Sequence, residues 1–389
     1  FFMALLIIIN IIFLIINTIS MPNIEFLLVF ISEKRKTMKI LFVLKSRFYN
    51  NMHVKSYGLV NSASHVARYL ETIGCETKVV TVIDGNFIDK EIYDYKPDVV
   101  IIEALWVTGA KLKELIEIKR YKKITWIVRI HSDIGYLSAE TFALKYVNDY
   151  IALDKPNLII APNNKELVEY LSNALHVDLE YLPNIIQYKH PHHPHRYVQS
   201  SDIMHVGCFG ALRILKNQVF QALCAIKAAD ALNKTLHFHV TVVRGKNDEN
   251  GKLNPVLENL EELFVRSKHH LIIHDWKEND EFQHLIKKMD VGLQLSYTES
   301  FNIVTADFIR NNIPILVSDA INWMPTMLRT STTDYNKVMK DIIYLYKHRD
   351  SERLIRKMHE SLNEHNLHAK RVWLDFIREI HNPRDRHRN

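Results

Sequence analysis

Two acidic residues bracket a short stretch of the sequence, ESFNIVTAD, in which Glu299 and Asp307 stand eight positions apart. The stretch follows the strand-like DVGLQLSY and continues as a helix-like segment. The first amides of a helix have no internal acceptor, so a strand that turns into a helix offers a site for an anion. Those amides belong to Ser300, Phe301, Asn302 and Ile303. The pattern suggests a ligand with phosphate and hydroxyl groups, although on spacing alone an ordinary helix cap is the simpler interpretation.

The composition limits the classes of protein to which the chain can belong. Its 389 residues suffice for two domains, and 47% hydrophobic with 24% charged residues excludes wholesale disorder. The net charge of +6 is mild and does not by itself indicate a nucleic-acid binder. The three cysteines are far apart, which argues against a disulfide framework and favours a reducing, cytoplasmic setting.

The first 37 residues differ in character from the rest of the chain. About 20 nearly uncharged residues, the length of a membrane-spanning helix, precede the basic sequence EKRK. Met38, in MKILFVLK, has the character of a natural start that leads directly into a strand. Three interpretations stay open: an extension that does not belong to the working protein, a membrane anchor, and a cleaved signal peptide.

From Met38 onward, apolar strands alternate with amphipathic helices. Uninterrupted runs such as KILFVL and VVIIEAL are typical of parallel strands that are covered on both faces. The series repeats after a stretch rich in proline and histidine, which predicts two doubly wound, Rossmann-like α/β domains with a ligand cleft between them. The predicted units are the N-terminal extension (1–37), first domain (38–186), linker (187–203), second domain (204–350) and C-terminal helix with basic tail (351–389).

The block DVGLQLSYTESFNIVTADFIRNNIPILVSD resembles the nucleotide-sugar site of GT-B glycosyltransferases, in particular glycosyltransferase family 4. In that family two acidic residues separated by seven positions bracket the turn that binds the diphosphate. Glu299 matches the first acid, which implies contact with the donor sugar. Asp307 stands where glutamate is usual and is implied to accept hydrogen bonds from the ribose. Asn302 and Asn312 replace frequent glycines.

Other parts of the chain extend the resemblance to about residues 38–319. In VGCFGALRILKNQ, the loop after Gly210 carries Arg213 and Lys216, which correspond to the pair that commonly grips the donor phosphates. Trp276 is a candidate contact to the base, with a buried structural role as the alternative. The family also implies a C-terminal helix that crosses back onto the first domain.

The first domain matches less specifically. His131, just past a strand, stands where the family often has a histidine that contacts the donor sugar or positions the acceptor. Arg129 and Asp133 flank it at alternate positions as acceptor-side candidates. The first loop lacks the paired glycines that are frequent in the family, so the acceptor contacts rest on fewer residues. These are Lys55, Ser56 and Gly58.

Neither a metal nor a cofactor is predicted. The stretch KHPHHPHRY has four histidines in six positions, but its prolines favour an extended chain that points the rings apart. The sequence contains no Asp-X-Asp pair, P-loop or Gly-X-Ser-X-Gly elbow, and a nucleotide-diphosphate sugar would be a co-substrate.

The resemblance implies an enzyme that transfers a sugar from a nucleotide-diphosphate donor to a glycan, lipid-linked or small-molecule acceptor, without a metal and with retention of configuration. His131, Glu299, Arg213 and Lys216 are its candidate catalytic residues. Three alternatives remain: a DNA-modifying glucosyltransferase, a non-catalytic sugar-nucleotide-binding protein, and a membrane-tethered scaffold. The mild charge of the first domain argues against nucleic acid, whereas EKRK and the basic tail leave a membrane surface open as a partner.

Overall fold

The computed structural model describes residues 37–49, 52–54, 58–187, 202–242 and 253–381. The apolar segment of residues 1–36, the histidine-rich stretch of residues 190–195 and the basic tail of residues 382–389 lie outside these ranges. Among the described residues, no helix has the length and apolar character that crossing a membrane requires.

The strands of the first domain are β1 (Lys39–Lys45), β2 (Arg47–Tyr49), β3 (Met52–Val54), β4 (Glu76–Val82), β5 (Val99–Glu103), β6 (Thr125–Ile130) and β7 (Leu158–Pro162). A parallel sheet has the order β4-β1-β5-β6-β7, and β2 and β3 form a separate antiparallel hairpin. All of β5 is buried, as an uninterrupted apolar strand between two helical layers should be.

The helices of this domain are α1 (Gly58–Thr72), α2 (Ile88–Tyr95), α3 (Gly109–Glu117), α4 (Ile134–Ala139), α5 (Ala143–Ile151) and α6 (Lys165–Leu175). They alternate with the strands and cover two apolar clusters, one on each face of the sheet. The helix α4 follows the carboxyl end of β6 directly, so it lies at the edge where parallel sheets carry their ligand sites.

The strands of the second domain are β8 (Ile203–Gly207), β9 (Thr235–Val242), β10 (His270–Asp275), β11 (Val291–Gln294), β12 (Ile315–Ser318) and β13 (Arg329–Thr330). Its helices are α7 (Gln218–Ala231), α8 (Pro255–Phe264), α9 (Asn279–Ile286), α10 (Ile303–Arg310), α11 (Tyr335–Lys347) and α12 (Glu352–His381). The sheet is parallel, in the order β10-β9-β8-β11-β12-β13. Two Rossmann-like domains in tandem confirm the predicted fold class.

The 30-residue helix α12 belongs to both domains. Its first half packs into the core of the second domain through residues such as Met358 and Leu362. Its second half completes the core of the first domain, where Trp373 is buried and its indole N–H donates to the carbonyl of Pro183 at 2.8 Å. The predicted return of the C-terminal helix to the first domain is confirmed.

Candidate functional site

The turn between β11 and α10 is organised by Asn302. This residue has φ of 65°, a left-handed conformation that asparagine adopts more readily than most residues. Its Oδ1 accepts hydrogen bonds from the amide and hydroxyl of Thr305, both at 2.9 Å, and so caps α10. Its Nδ2 donates to Glu299 Oε1 at 2.9 Å and to Gln294 Oε1 at 2.8 Å. One side chain therefore starts the helix and orients the Glu299 carboxylate.

Two glycines bring α10 close to the sheet. A Cβ atom at Gly207 would lie 2.8 Å from the Phe308 ring, and one at Gly292 would lie 2.6 Å from it. Any side chain at these positions on β8 and β11 would displace the helix. The close packing sets the first turn of α10 at the carboxyl edge of the sheet, the edge at which parallel sheets carry their ligand sites.

Lys216 and Glu299 form an ion pair at this edge. Lys216 ends a short 3-10 turn over Ile214–Lys216, and its ammonium donates to Glu299 Oε1. Only 18% of the Lys216 side chain and 6% of the Glu299 side chain are exposed. Burial disfavours the ammonium charge, but the Glu299 carboxylate and Tyr136 raise the pKa of Lys216 above its ordinary value. Lys216 is therefore a cation at neutral pH.

An aromatic ring from the first domain joins this group. Tyr136, on α4, has the guanidinium carbon of Arg213 and the ammonium of Lys216 each 5.8 Å from its ring centroid. Both distances lie within the range of cation–π attraction. Arg213 is exposed, whereas Lys216 is not. The structure thus gathers Arg213, Lys216 and Glu299 around one point between the domains.

On the first domain, His131 is held by protein groups through both ring nitrogens. Nε2 contacts Glu103 Oε2, and Nδ1 lies 3.3 Å from Asn163 Nδ2. An Nδ1 that accepts from the amide fixes the hydrogen on Nε2, which donates to Glu103. Burial lowers the pKa of His131, and the attraction of Glu103 offsets only part of that effect. The predicted approach of this ring to the reacting carbon stays a prediction.

Arg129 does not occupy the acceptor side that was predicted for it. Its side chain is fully buried, and its donors bond to Glu103 at 3.1 Å and to the carbonyls of Leu182 at 2.9 Å and Pro183 at 3.0 Å. A further bond reaches Asn184 Oδ1 at 2.5 Å. With its guanidinium surrounded by these partners, Arg129 positions Glu103 and the chain that leaves the first domain, and does not face the cleft.

Side-chain hydrogen bonds join the two domains along the cleft. Ser300 Oγ donates to the carbonyl of His131 at 2.8 Å, and Thr298 Oγ1 donates to Asp133 Oδ2 at 2.8 Å. Further along the cleft, Asn322 donates to Glu166 at 3.0 Å. The loop after β6 therefore contacts the turn after β11. One carboxylate oxygen of Asp133 accepts a hydrogen bond in this contact.

Phe301 and Asp307 both lie inside the second domain. Phe301 is 3% exposed and stacks on Trp323, with ring centroids 5.3 Å apart, so its side chain fixes the turn and does not face a ligand. Asp307 Oδ1 accepts from Gln283 at 2.9 Å and from Arg310 at 3.1 Å. Burial raises the pKa of Asp307 to about 6 despite these partners. The predicted contact of Asp307 with a ribose stays a prediction.

The remaining candidates are dispersed. Gly58 opens α1 and faces α10, because a Cβ there would lie 3.8 Å from Ile303 Cγ2. Gly210 has φ of +111°, and its amide donates to Thr241 Oγ1 at 3.1 Å. Trp276 is half-buried just beyond β10. Lys55 and Ser56 lie outside the described residues.

Sequence reasoning missed Glu103, Asn163 and Tyr136. Glu103 ends the otherwise apolar strand VVIIE, and a lone carboxylate at the carboxyl end of a parallel strand was a signal that could have found it. Asn163 directly follows β7, the strand next to β6, so it occupies the same edge. Tyr136 carries no comparable signal, since its place depends on how the two domains meet.

No protein-family model matches the sequence, and neither does any of the curated proteins with which it was compared. Solved structures match at low identity. Sucrose-phosphate synthase from Thermosynechococcus elongatus aligns with a TM-score of 0.62 at 12% identity, over 88% of this chain and 98% of that chain. The trehalose 6-phosphate synthase of Burkholderia multivorans gives 0.58 at 12%, over 89% and 97%.

A third similar structure, S. aureus TarM in complex with UDP, α-GlcNAc-glycerol and fondaparinux, gives a TM-score of 0.55 at 12% identity, over 75% of this chain and 57% of that chain. Identities this low establish the fold and not the substrate. Two parallel-sheet domains that face each other, tied by a C-terminal helix that returns to the first, give this chain the GT-B architecture.

Proposed function

We propose that the chain is a glycosyltransferase that moves a sugar from a nucleotide-diphosphate sugar to an acceptor hydroxyl, in the synthesis of a glycan or glycoconjugate. The observation that carries the proposal is the convergence of Lys216, Arg213 and Glu299 at the start of α10, opposite the first domain. The three similar proteins support it, since two are named as synthases of sugar phosphates and TarM was solved with UDP.

The diphosphate would bind between the two cations and the first turn of α10. Lys216 and Arg213 would neutralise the charge that develops on the departing diphosphate, and the backbone amides of residues 300–303 would donate to its oxygens. These groups are already placed, so little reorganisation accompanies the reaction. We propose that they act in place of a metal ion.

Glu299 would change partners when the donor binds. Its Oε1 accepts hydrogen bonds from Lys216 and Asn302. A diphosphate that attracts Lys216 would free part of this carboxylate for the hydroxyls of the donor sugar, while Asn302 keeps it oriented. Before the donor binds, the ion pair would keep Lys216 in its charged form. When the donor binds, the Lys216 ammonium would form its hydrogen bond with the diphosphate instead.

The first domain would supply the acceptor side. The His131 ring, fixed by Glu103 and Asn163, lies one residue from Ser132 and two from Asp133, on the loop that meets the second domain. We propose that this loop positions the acceptor hydroxyl over the donor sugar and that the configuration at the sugar carbon is retained.

A screen of nucleotide sugars by thermal shift tests donor binding. A true donor at 100 times its dissociation constant should stabilise the fold by about 2.7 kcal/mol. Transfer or hydrolysis of that donor is then followed by release of the nucleotide diphosphate, in buffer that contains EDTA. Glu299→Gln, which keeps the shape and loses the charge, should lower turnover at least 100-fold.

Glu281→Gln is the matched control, because Glu281 is an exposed residue in the first turn of α9. It should keep wild-type turnover. Normal turnover by Glu299→Gln would refute the assigned site, and binding of no nucleotide sugar would refute the function. Donor binding without any turnover would instead indicate a non-catalytic sugar-nucleotide-binding protein.

A further inference from the structure

A group of histidines lies on one face of the second sheet, on β8, β9 and β10. The strand register pairs His205 with His237 and His237 with His270. His239 and His274 lie two and four positions further along β9 and β10. Side chains alternate between the faces of a strand, and paired residues of neighbouring strands share a face. All five imidazoles therefore occupy the same face.

Three of these imidazoles meet at one point. His205, His237 and His239 each offer a ring nitrogen, and the three atoms all lie within 4.8 Å of one another. Nδ1 of His205 is 3.0 Å from Nε2 of His239. In a tetrahedral site with bonds of about 2.0–2.1 Å, ligand nitrogens stand about 3.3 Å apart. Small rotations of these side chains would place all three nitrogens around one ion.

The chemistry of imidazole suits a metal ion at neutral pH. A histidine side chain has an ordinary pKa of about 6.5 and, in its neutral form, carries a lone pair on one ring nitrogen.

A fourth histidine orients the central ring. Nδ1 of His239 is 2.9 Å from Nε2 of His274, and the two rings stack at 9°. A hydrogen on Nδ1 of His239 that is donated to His274 leaves the lone pair on Nε2, the nitrogen that faces His205. Metal-binding histidines almost always have such a partner on the second nitrogen.

The three histidines differ in their exposure to solvent. His239 is 6% exposed, whereas His205 and His237 are only half-buried. The inner ring thus anchors the group, and the outer two leave a path from solvent for an ion and for a water molecule to complete its coordination.

We propose that His205, His237 and His239 bind one divalent first-row transition-metal ion, with solvent in the remaining position. Imidazole nitrogen suits Zn²⁺, Cu²⁺ and Ni²⁺, and Zn²⁺ is the probe for the test. The site is independent of sugar transfer, and no step of that reaction is assigned to the ion. The sequence-based expectation of no metal considered, among the histidines, only those of residues 190–195 and overlooked the alternate histidines of HFH at residues 237–239.

The test uses the full chain, purified without a histidine tag and stripped with EDTA. Calorimetric titration with ZnCl₂ should show a site of about one equivalent, and Co²⁺ should give the visible absorption of a nitrogen-ligated tetrahedral ion. His205→Asn and His237→Asn should each abolish that site. His274→Asn, which removes only the orienting partner, should weaken binding about 10–100-fold.

Two controls separate this site from other histidines. His192→Asn/His193→Asn alters the proline-rich stretch, and His270→Asn alters an exposed histidine on the same face. Both should keep the site. The proposal is overturned if wild-type protein binds no Zn²⁺, if binding survives in His205→Asn and His237→Asn, or if it disappears in the proline-rich variant. Circular dichroism of each variant excludes unfolding as the cause of a lost site.

Discussion

The two edges of the cleft differ in how completely their charged side chains are buried and paired with other groups of the protein. On the first domain, Arg129 and Glu103 are fully buried, and the arginine also bonds to backbone carbonyls. On the second domain, Lys216 is 18% exposed against the Glu299 carboxylate, and Arg213 is open to solvent. One edge is a closed network within the fold, and the other holds its charges where a ligand can reach them.

This difference shows which charged residues maintain the architecture and which can exchange partners. A buried pair that loses one member leaves an uncompensated charge, so such a network is costly to disturb. A pair at the edge of a cleft can give its cation to an incoming anion, because a new charge-assisted hydrogen bond replaces the old one. Single substitutions at both edges test that contrast.

Arg129→Met should have the largest effect on stability. It leaves the Glu103 carboxylate buried without its cation, and we expect the free energy of unfolding to fall by about 3–5 kcal/mol. Urea-induced unfolding followed by circular dichroism measures the change. Arg120→Met removes an exposed pair with Asp89, at 2.9 Å, and should lower the free energy of unfolding far less, because water screens an exposed pair. Equal losses in the two variants would contradict the contrast between closed and exchangeable pairs.

Asp307→Asn should increase stability at neutral pH and flatten its pH dependence. Because burial raises the pKa of Asp307 to about 6, the folded protein binds this proton more tightly than the unfolded chain. The contribution of Asp307 is therefore fully present below about pH 4 and is lost as the pH rises to about 6, a change of about 2–3 kcal/mol.

Unfolding at several pH values between 4 and 7 measures this slope. The exposed substitution Asp178→Asn is the control and should keep the wild-type slope. An unchanged slope in Asp307→Asn would show that Arg310 and Gln283 compensate fully for burial of the carboxylate.

Lys216→Met should weaken the binding of a nucleotide diphosphate. Loss of one charge-assisted hydrogen bond costs about 2 kcal/mol, which corresponds to a dissociation constant raised about 30-fold. Titration calorimetry with UDP and ADP measures it. Lys340→Met, on an exposed part of α11, should bind as the wild type does.

If Lys216→Met unfolds because Glu299 loses its partner, the double variant Lys216→Met/Glu299→Gln removes the unpaired charge. It should fold and still bind weakly. Wild-type affinity in that folded double variant would place the diphosphate elsewhere.

Ser300→Ala should have the smallest effect. It removes the bond from Ser300 Oγ to the His131 carbonyl and should cost about 1 kcal/mol of unfolding free energy. Ser138→Ala is the control, since its hydroxyl bonds only to the carbonyl of Ile134, within α4, at 3.0 Å. A larger loss in Ser138→Ala would show that the contact between the domains adds no stability.

The fold could be predicted because its strands are uninterrupted apolar runs that can be recognised in the sequence. Runs such as VVIIE are buried along their whole length, and such runs specify parallel strands regardless of their exact neighbours. The turn at Glu299 was also within reach, because the end of a strand and the start of a helix are local features. Lys216 and Glu299 are 83 positions apart, and their placement at one site was inferred from a resemblance. The ion pair between them was not predicted.

What the sequence could not supply is register. Arg129 was placed on the acceptor side because it alternates with His131, yet it stands directly beside Glu103 across the β5–β6 ladder. The same limit hid the histidine group, in which His205 and His237 become neighbours only once β8 and β9 are aligned. The alternation of side chains along a strand assigns each residue to one face of the sheet. Only the pairing of the strands decides which residues become neighbours on that face.

The route of α12 has a consequence for how the protein is made. Trp373 and Phe376 share a cluster with Ile40 and Phe42 of the first strand, so the first domain lacks part of its interior until the second half of α12 has been synthesised. While the ribosome is still making the second domain, the first is an incomplete lobe with apolar residues uncovered. The two domains therefore reach their native packing together, after α12.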